Sequence, residues 1–160
     1  MSVTVREMRP EDARLFLEIH HAAVRGLAAQ DYPASVVDAW AAPITDQVIE
    51  RFLANRDREL RLVAELDGEP VGIGAIVVGH AELRACYVAP HAARRGVGSA
   101  LVAEIERIAR ERGLDHLDLE SSITAEPFYS ALGYHVETRG VHLLSPGVPM
   151  AAVTMRKRLG

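Results

Sequence analysis

The chain has 160 residues, 49% of them hydrophobic and 25% charged, with a net charge of −4: the length of one ordinary domain and a globular rather than disordered composition. The acidic balance excludes a general polyanion-binding surface, and a single cysteine, Cys86, excludes an intrachain disulfide and a cysteine-rich zinc site. Lys157 is the only lysine, which excludes a Walker-type phosphate loop, whose lysine follows a glycine; arginine, with its planar fork of donors, is left to meet phosphate or carboxylate.

Residues 2–8 read as a strand, with Val3, Val5 and Met8 on buried sides. Pro10-Glu11-Asp12 then opens a helix, proline suiting the first turn and the two carboxylates its positive end. Its stripe of Leu15, Ile19, Ala22 and Ala23 runs to about Gln30, where Tyr32-Pro33 breaks it. Further helices are expected from Ala34 to Ala42 and from Thr45 to about Asn55. Leu60 to Leu66 alternates as a half-buried strand, and Asp67-Gly68 signals a hairpin. Val71 to Val78 is rich in β-branched residues, as a strand buried on both faces would be. A strand from Leu83 to Val88 follows, then an amphipathic helix from Ser99 to Arg112. That helix turns Leu101, Val102, Ile105, Ile108 and Ala109 inward, pairs Glu106 with Arg110 outside and is capped by Gly113. His116 to Glu120 is a strand, Ala125 to Leu132 a short helix, and His135–His142 and Met150–Arg158 complete the strands. No apolar signal core opens the chain, and its longest apolar stretch, from Val71 to Gly79, is far short of the roughly 20 residues that span a bilayer. The expectation is a cytoplasmic protein with no nucleic-acid or membrane partner, folded as one α/β (α+β) domain over residues 1–160.

The segment Val88-Ala89-Pro90-His91-Ala92-Ala93-Arg94-Arg95-Gly96-Val97-Gly98-Ser99 leads from a strand into a helix. A helix start offers unpaired N–H groups and partial positive charge to an anion. Gly96 and Gly98 let backbone approach that anion, while Ser99 and either Arg94 or Arg95 add donors. Two arginines suggest more than one phosphate. A dinucleotide reading, with Glu120 as the ribose-binding acid about 20 residues after Gly98, is weakened by Leu101 at the third glycine position. The other bland alternative is a tight turn and nothing more.

This segment resembles the pyrophosphate loop of the GNAT superfamily of N-acetyltransferases, Gln/Arg-x-x-Gly-x-Gly/Ala after a Val-x-Pro lead-in. It matches at Gly96, Gly98 and Val88-Ala89-Pro90 and departs at Ala93, where the family has Gln or Arg. Downstream, Phe128-Tyr129-Ser-Ala-Leu-Gly133-Tyr134 looks like the family's Phe-Tyr-x-x-x-Gly-Phe segment, at family spacing. The resemblance implies a mixed, mostly antiparallel sheet of about seven strands, splayed between two of them and covered by helices on both faces. It implies acetyl-CoA as cosubstrate, with no metal, and acetyl transfer to an amine of a small molecule or peptide. Dimers are common in the family, so a homodimeric partner is part of the expectation.

Amine attack on a thioester needs a neutral amine, a polarised carbonyl and a protonated leaving group. Tyr129 matches the family's general acid. Glu82, six positions before Val88, matches the glutamate base of the histone-acetylating branch; a water chain is the alternative, and His80, His116, Glu120 and His135 are other ionisable candidates. Alternation puts Glu82, Arg84, Cys86 and Val88 on one face. The resemblance implies that the strand of Cys86 and Val88 holds the pantetheine arm through its backbone, and that the loop Arg94, Arg95, Gly96, Val97, Gly98 and Ser99 holds pyrophosphate. Cys86 itself reads as a small buried hydrophobe. His20, His21, Arg25, Tyr32, Trp40, His142 and the Ser145-Pro146-Gly147 loop are candidates for the acceptor pocket. Adjacent His20 and His21 cannot both face one metal from a regular helix. A non-catalytic acyl-CoA-binding module keeps the same loop without turnover.

Overall fold

A computed structural model describes residues 2–160. Its elements run β1 (Val3–Glu7), α1 (Ala13–Leu27), α2 (Ala34–Trp40), α3 (Asp46–Ala54), β2 (Leu60–Leu66), β3 (Glu69–Val77), β4 (Glu82–Val88), α4 (Val97–Glu111), β5 (His116–Ser122), α5 (Glu126–Ala131), β6 (His135–Leu144) and β7 (Val148–Arg158). The expected elements are all present. The main shifts are at ends: α4 starts two residues earlier than the apolar stripe does, and β5 and β6 each run two residues longer. The strands form one seven-stranded sheet in the order β1-β2-β3-β4-β5-β7-β6. Each neighbouring pair is antiparallel except β4–β5.

Helices cover both faces. On one, the inward stripe of α4 (Leu101, Val102, Ile105, Ile108, Ala109) packs on Leu62, Ala64, Val71, Ile76, Leu117, Leu119, Val153 and Met155, with Tyr129 and Tyr134 at the α5 end. Each large aliphatic side chain buried there contributes about 1.5–3 kcal/mol of transfer free energy. On the other, Phe16 and Ile19 of α1 cover Ile73, with Ala85 and Tyr87 alongside; Tyr32, Val36 and Val37 at α2 cover Met150. β3 is buried from Val71 to Val77 because helices lie over both of its faces.

Two local expectations fail. Glu106 does not pair outside with Arg110. It is 7% exposed, accepts from the Tyr134 hydroxyl at 2.9 Å and from Lys157 Nζ at 3.0 Å, and has Arg110 only at 3.9 Å. The sole lysine thus neutralises a buried carboxylate contributed by α4. The alternation of β4 also fails, because Ala75 pairs with Ala85 but Ile76 pairs with Leu83. Arg84 is the extra residue of a β-bulge. Leu83, Cys86 and Val88 therefore face α4, whereas Ala85 and Tyr87 face α1, with Glu82 and Arg84 opening on Tyr87's side.

Candidate functional site

β4 and β5 share a single register pair, Glu82 with Asp118, reinforced by Asp118 N–H donating to the Ala81 carbonyl at 2.8 Å. Beyond it, no ladder joins the two strands among the described residues, so the β5-facing edge of β4 up to Val88 is left without a strand partner. Two cavities occupy this wedge. The larger, about 700 Å³, is lined by Cys86, Tyr87 and Val88 of β4, by Ala93, Arg94 and Gly98 of the glycine loop, by Phe128 of α5 and by Val24 and Leu27 of α1. The second, about 390 Å³, is lined by Glu82, Arg84, Tyr87, Glu120, His142, Leu144 and Met150. Trp40, Tyr87 and Ser122 line both, so the cavities meet there. An open groove of about 740 Å³ beside Val77–His80 lies at the other end of β4 and includes none of the glycine loop.

The loop is shaped by two left-handed residues, Arg94 (φ 63°) and Gly96 (φ 83°). Gly96 is the N-cap of α4, and the turn aims the first N–H groups of that 15-residue helix outward, where an anion is favoured. Of the two arginines, Arg94 lines the larger cavity and Arg95 does not. Gly98 has a reason the sequence did not suggest: a Cβ there would sit 3.0 Å from Cζ of Phe128. Close seating of the Phe128 ring, as much as access for an anion, requires glycine at 98. Val97 is buried under the helix start and faces the core rather than the cavity.

Cys86 lines the larger cavity, whereas Tyr129 lines neither cavity and stands next to Phe128, which does. The Cys86 sulfur lies 3.8 Å from the Gly98 carbonyl, and burial pushes its thiol up to about 12, so it stays protonated and unreactive as a nucleophile at neutral pH. Tyr129 is 5% exposed, with its ring 5.1 Å from Phe128 and 5.8 Å from Tyr134. Its hydroxyl makes no hydrogen bond, yet no fully sealed side-chain oxygen among the described residues lacks a partner; the oxygen therefore retains solvent access. Burial holds its pKa well above the usual value near 10. It is a protonated, largely buried O–H donor with a free hydrogen-bonding valence.

Glu82 is held by Arg84 through two bonds, from Nε at 3.0 Å and Nη2 at 2.9 Å. Arg84 Nη1 also reaches Asp57 at 2.9 Å and Glu59 at 3.3 Å. Among the other ionisable candidates, Glu120 pairs with His142 at 2.7 Å inside the second cavity. His80 approaches Glu82 at 3.8 Å from outside. His116 is occupied by Asp115 at 2.6 Å, and His135 is exposed at the start of β6.

Of the acceptor-pocket candidates, Trp40 and His142 line the second cavity. His20 stands behind it, its ring 4.6 Å from Tyr87 and 6.3 Å from Trp40; burial lowers its pKa to about 4, so it is a neutral aromatic. The Tyr32 hydroxyl donates to the Ala151 carbonyl at 2.6 Å and accepts from Ile123 N–H at 2.7 Å, tying the α1–α2 connection to β5 and β7. Arg25 instead braces α2 through Asp38 and the Ala41 carbonyl, with His21 beside it. The Ser145-Pro146-Gly147 loop joins β6 to β7 and lines neither cavity. Sequence reasoning missed Tyr87, Leu144 and Met150. Their signal was no stronger than that of any apolar strand residue, since only the bulge and the splay turn them towards the cavity. Among the described residues no group of three or more His, Cys, Asp or Glu is placed to hold a metal ion, and no helix is long and apolar enough to cross a membrane.

Comparison with known proteins agrees with this geometry. The model of the acetyltransferase (GNAT) family matches residues 21–134. The chain is 29% identical over 146 residues to an uncharacterised N-acetyltransferase of Escherichia coli, YafP, covering 87% of this chain and 89% of that one. It superposes on the crystal structure of a GCN5-related N-acetyltransferase from Rhodopseudomonas palustris with TM-score 0.91 and 31% identity, covering 99% and 97% of the two chains. It also superposes on the PaiA N-acetyltransferase of Thermoplasma acidophilum, solved in complex with coenzyme A, with TM-score 0.77 and 22% identity, covering 99% of each chain.

Proposed function

The chain belongs to the acetyltransferase (GNAT) family, and on that premise we propose that it moves an acetyl group from acetyl-CoA to a primary amine by direct attack. One observation carries the reading: the unpaired edge of β4 and the glycine loop flank a single cavity of about 700 Å³. Backbone N–H and C=O groups left without a strand need partners, and the amides of a pantetheine arm supply them along Cys86–Val88. The helix start at Val97, Gly98 and Ser99 then receives the pyrophosphate. Its position on the cavity wall makes Arg94 the arginine that neutralises phosphate charge, with Arg95 outside. Coenzyme A in the related structure from Thermoplasma acidophilum supports the same choice of cosubstrate.

Tyr129 acts as general acid, donating its proton to the departing thiolate. Its raised pKa keeps that proton in place until the leaving group develops charge. The amine loses a proton to Glu82 or to a water chain ending there. Glu82 lies five residues from Tyr87, where the cavities meet, at most about 16 Å along a strand, a separation that favours transfer through water. Because Arg84 grips both carboxylate oxygens, Glu82 is a fixed end-point for such a chain.

The test is release of free CoA thiol by the purified protein, with acetyl-CoA and a panel of primary amines, by wild type and Glu82→Gln. Amine-dependent release, slowed about tenfold or more in the variant, is the expected result. Tight CoA binding without turnover on any amine would make the protein an acyl-CoA-binding module instead.

A further inference from the structure

The second cavity has a consistent electrostatic character. Glu82 and Glu120 are in its wall, and Asp57 and Glu59 stand directly behind Arg84. The cations opposing them are Arg84, which already binds three of these carboxylates, and Arg61, which binds Glu59 at 2.8 Å. Within the wall itself two carboxylates, Glu82 and Glu120, stand against one permanent cation, Arg84. His20, behind the wall, adds no charge because burial keeps it neutral.

The one permanent cation in the wall is not free to hold an anion. All three guanidinium nitrogens of Arg84 are engaged with carboxylates. Glu120, by contrast, holds one partner, His142, through one oxygen, and its side chain remains 44% accessible. Two aromatic surfaces, Trp40 and Tyr87, line this cavity where it meets the other, and apolar Leu144 and Met150 complete its wall. Aromatic faces attract ammonium groups, and methylenes gain by covering apolar wall. A volume of about 390 Å³ suits a small molecule.

Distances along the strands set the length of such a molecule. Glu120 is two residues from Ser122, the β5 residue that lines both cavities, or about 6–7 Å. Chains of about four to five methylenes match that backbone spacing between the meeting point and the strand position that carries Glu120.

Resting on the acetyltransferase reading above, we infer that the acceptor is a small alkyl diamine, or an amine with an equivalent second cation and no carboxylate. One amine reacts where Tyr87 and Ser122 meet, and the distal ammonium is held by Glu120. An α-amino acid or an ω-amino acid places a carboxylate against Glu82 and Glu120 with no free cation to receive it.

Three acceptors of one length separate the possibilities: 1,4-diaminobutane, butylamine and 4-aminobutanoate, repeated one methylene shorter and longer, at saturating acetyl-CoA. They differ only in the distal group, which is ammonium, methyl or carboxylate. The expected order of kcat/KM is diamine over monoamine by about 10-fold to 100-fold, the worth of one charge-assisted hydrogen bond, with the amino acid slowest. Glu120→Gln should bring diamine and monoamine to within about threefold of each other, mainly by raising KM for the diamine, whereas Glu120→Asp should retain part of the preference. Turnover of monoamine or amino acid equal to that of the diamine overturns this inference alone, as does a preference that survives in Glu120→Gln with its thermal stability intact. Absence of turnover on every amine despite CoA binding overturns the acetyltransferase reading as well.

Discussion

Replacing Tyr129 by phenylalanine separates a chemical role from a packing role, because its ring and its hydroxyl have different jobs in this structure. The ring is buried and lies against Phe128 at 5.1 Å and Tyr134 at 5.8 Å, contacts that phenylalanine keeps. The hydroxyl makes no hydrogen bond to protein, so its removal leaves no partner unsatisfied and thermal stability should change by less than about 1 kcal/mol. If the hydroxyl protonates the leaving thiolate, its loss should slow turnover about 10²–10⁴-fold, or about 2.7–5.4 kcal/mol of transition-state stabilisation. The assay is kcat and KM for acetyl-CoA by thiol release, beside a thermal melt. Dissociation of CoA should be unchanged. Burial holds the phenol well above its usual value near 10. A proton donor of that kind is fully charged with its proton below that value, so wild-type kcat should not decline between about pH 8 and 9.5 through loss of this group. A kcat within threefold of wild type in Tyr129→Phe refutes the acid role, and a parallel loss of stability and kcat assigns the residue to packing.

Two further outcomes follow from the site. In Gly98→Ala, the new Cβ would meet the Phe128 ring at about 3.0 Å. Phe128 must then shift into the cavity it lines, so the dissociation constant for CoA should rise by about tenfold, in the 1–3 kcal/mol range of an overpacked contact; calorimetric titration with unchanged affinity would refute the steric reading. His20 protonates near pH 6.5 in the unfolded chain but only near 4 when folded, so the unfolded state takes the proton first and stability present above about pH 6.5 is lost as pH falls. The loss is about 2 kcal/mol at pH 5 and about 3 kcal/mol at pH 4. Urea unfolding at pH 7.5 and pH 5 should show that loss in wild type and not in His20→Phe, and equal pH slopes would refute it.

The elements were largely legible because each carried a periodic signal: α4 repeats apolar residues at helical spacing, and β3 is a β-branched run that two helical layers cover. The loop was legible for a different reason. A glycine at a helix start after a strand has few physical uses, and the second motif at Phe128-Tyr129 narrowed them. Glu106 was misread because helical spacing reports neighbours on the same helix. It says nothing of Tyr134 and Lys157, which approach from a turn and from β7 and bury that carboxylate. The second cavity was the least legible part. Its walls come from α2, β4, β5, β6 and β7, and no local window of sequence contains more than two of its Glu, Arg and His residues.

The bulge at Arg84 shows why that cavity could not be read from alternation. Without it, Glu82 and Arg84 would point with Cys86 and Val88 towards α4, and both would have to be buried in the main core. One inserted residue moves the pair to the opposite face, where Asp57 and Glu59 complete their hydrogen bonds. The same insertion leaves Cys86 and Val88 beside the glycine loop and Tyr87 between the two cavities. β4 can therefore border the larger cavity on one side and the acidic pocket on the other within seven residues. A strict period of two would have put the charged pair and the wall of the larger cavity on a single face. The separation of the two cavities along this strand thus depends on a backbone irregularity; deleting Arg84 closes the bulge with the pairs Ile76–Leu83 and Val77–Glu82 kept, so it should leave Glu82 on Tyr87's side and cost only the ion pairs of Arg84.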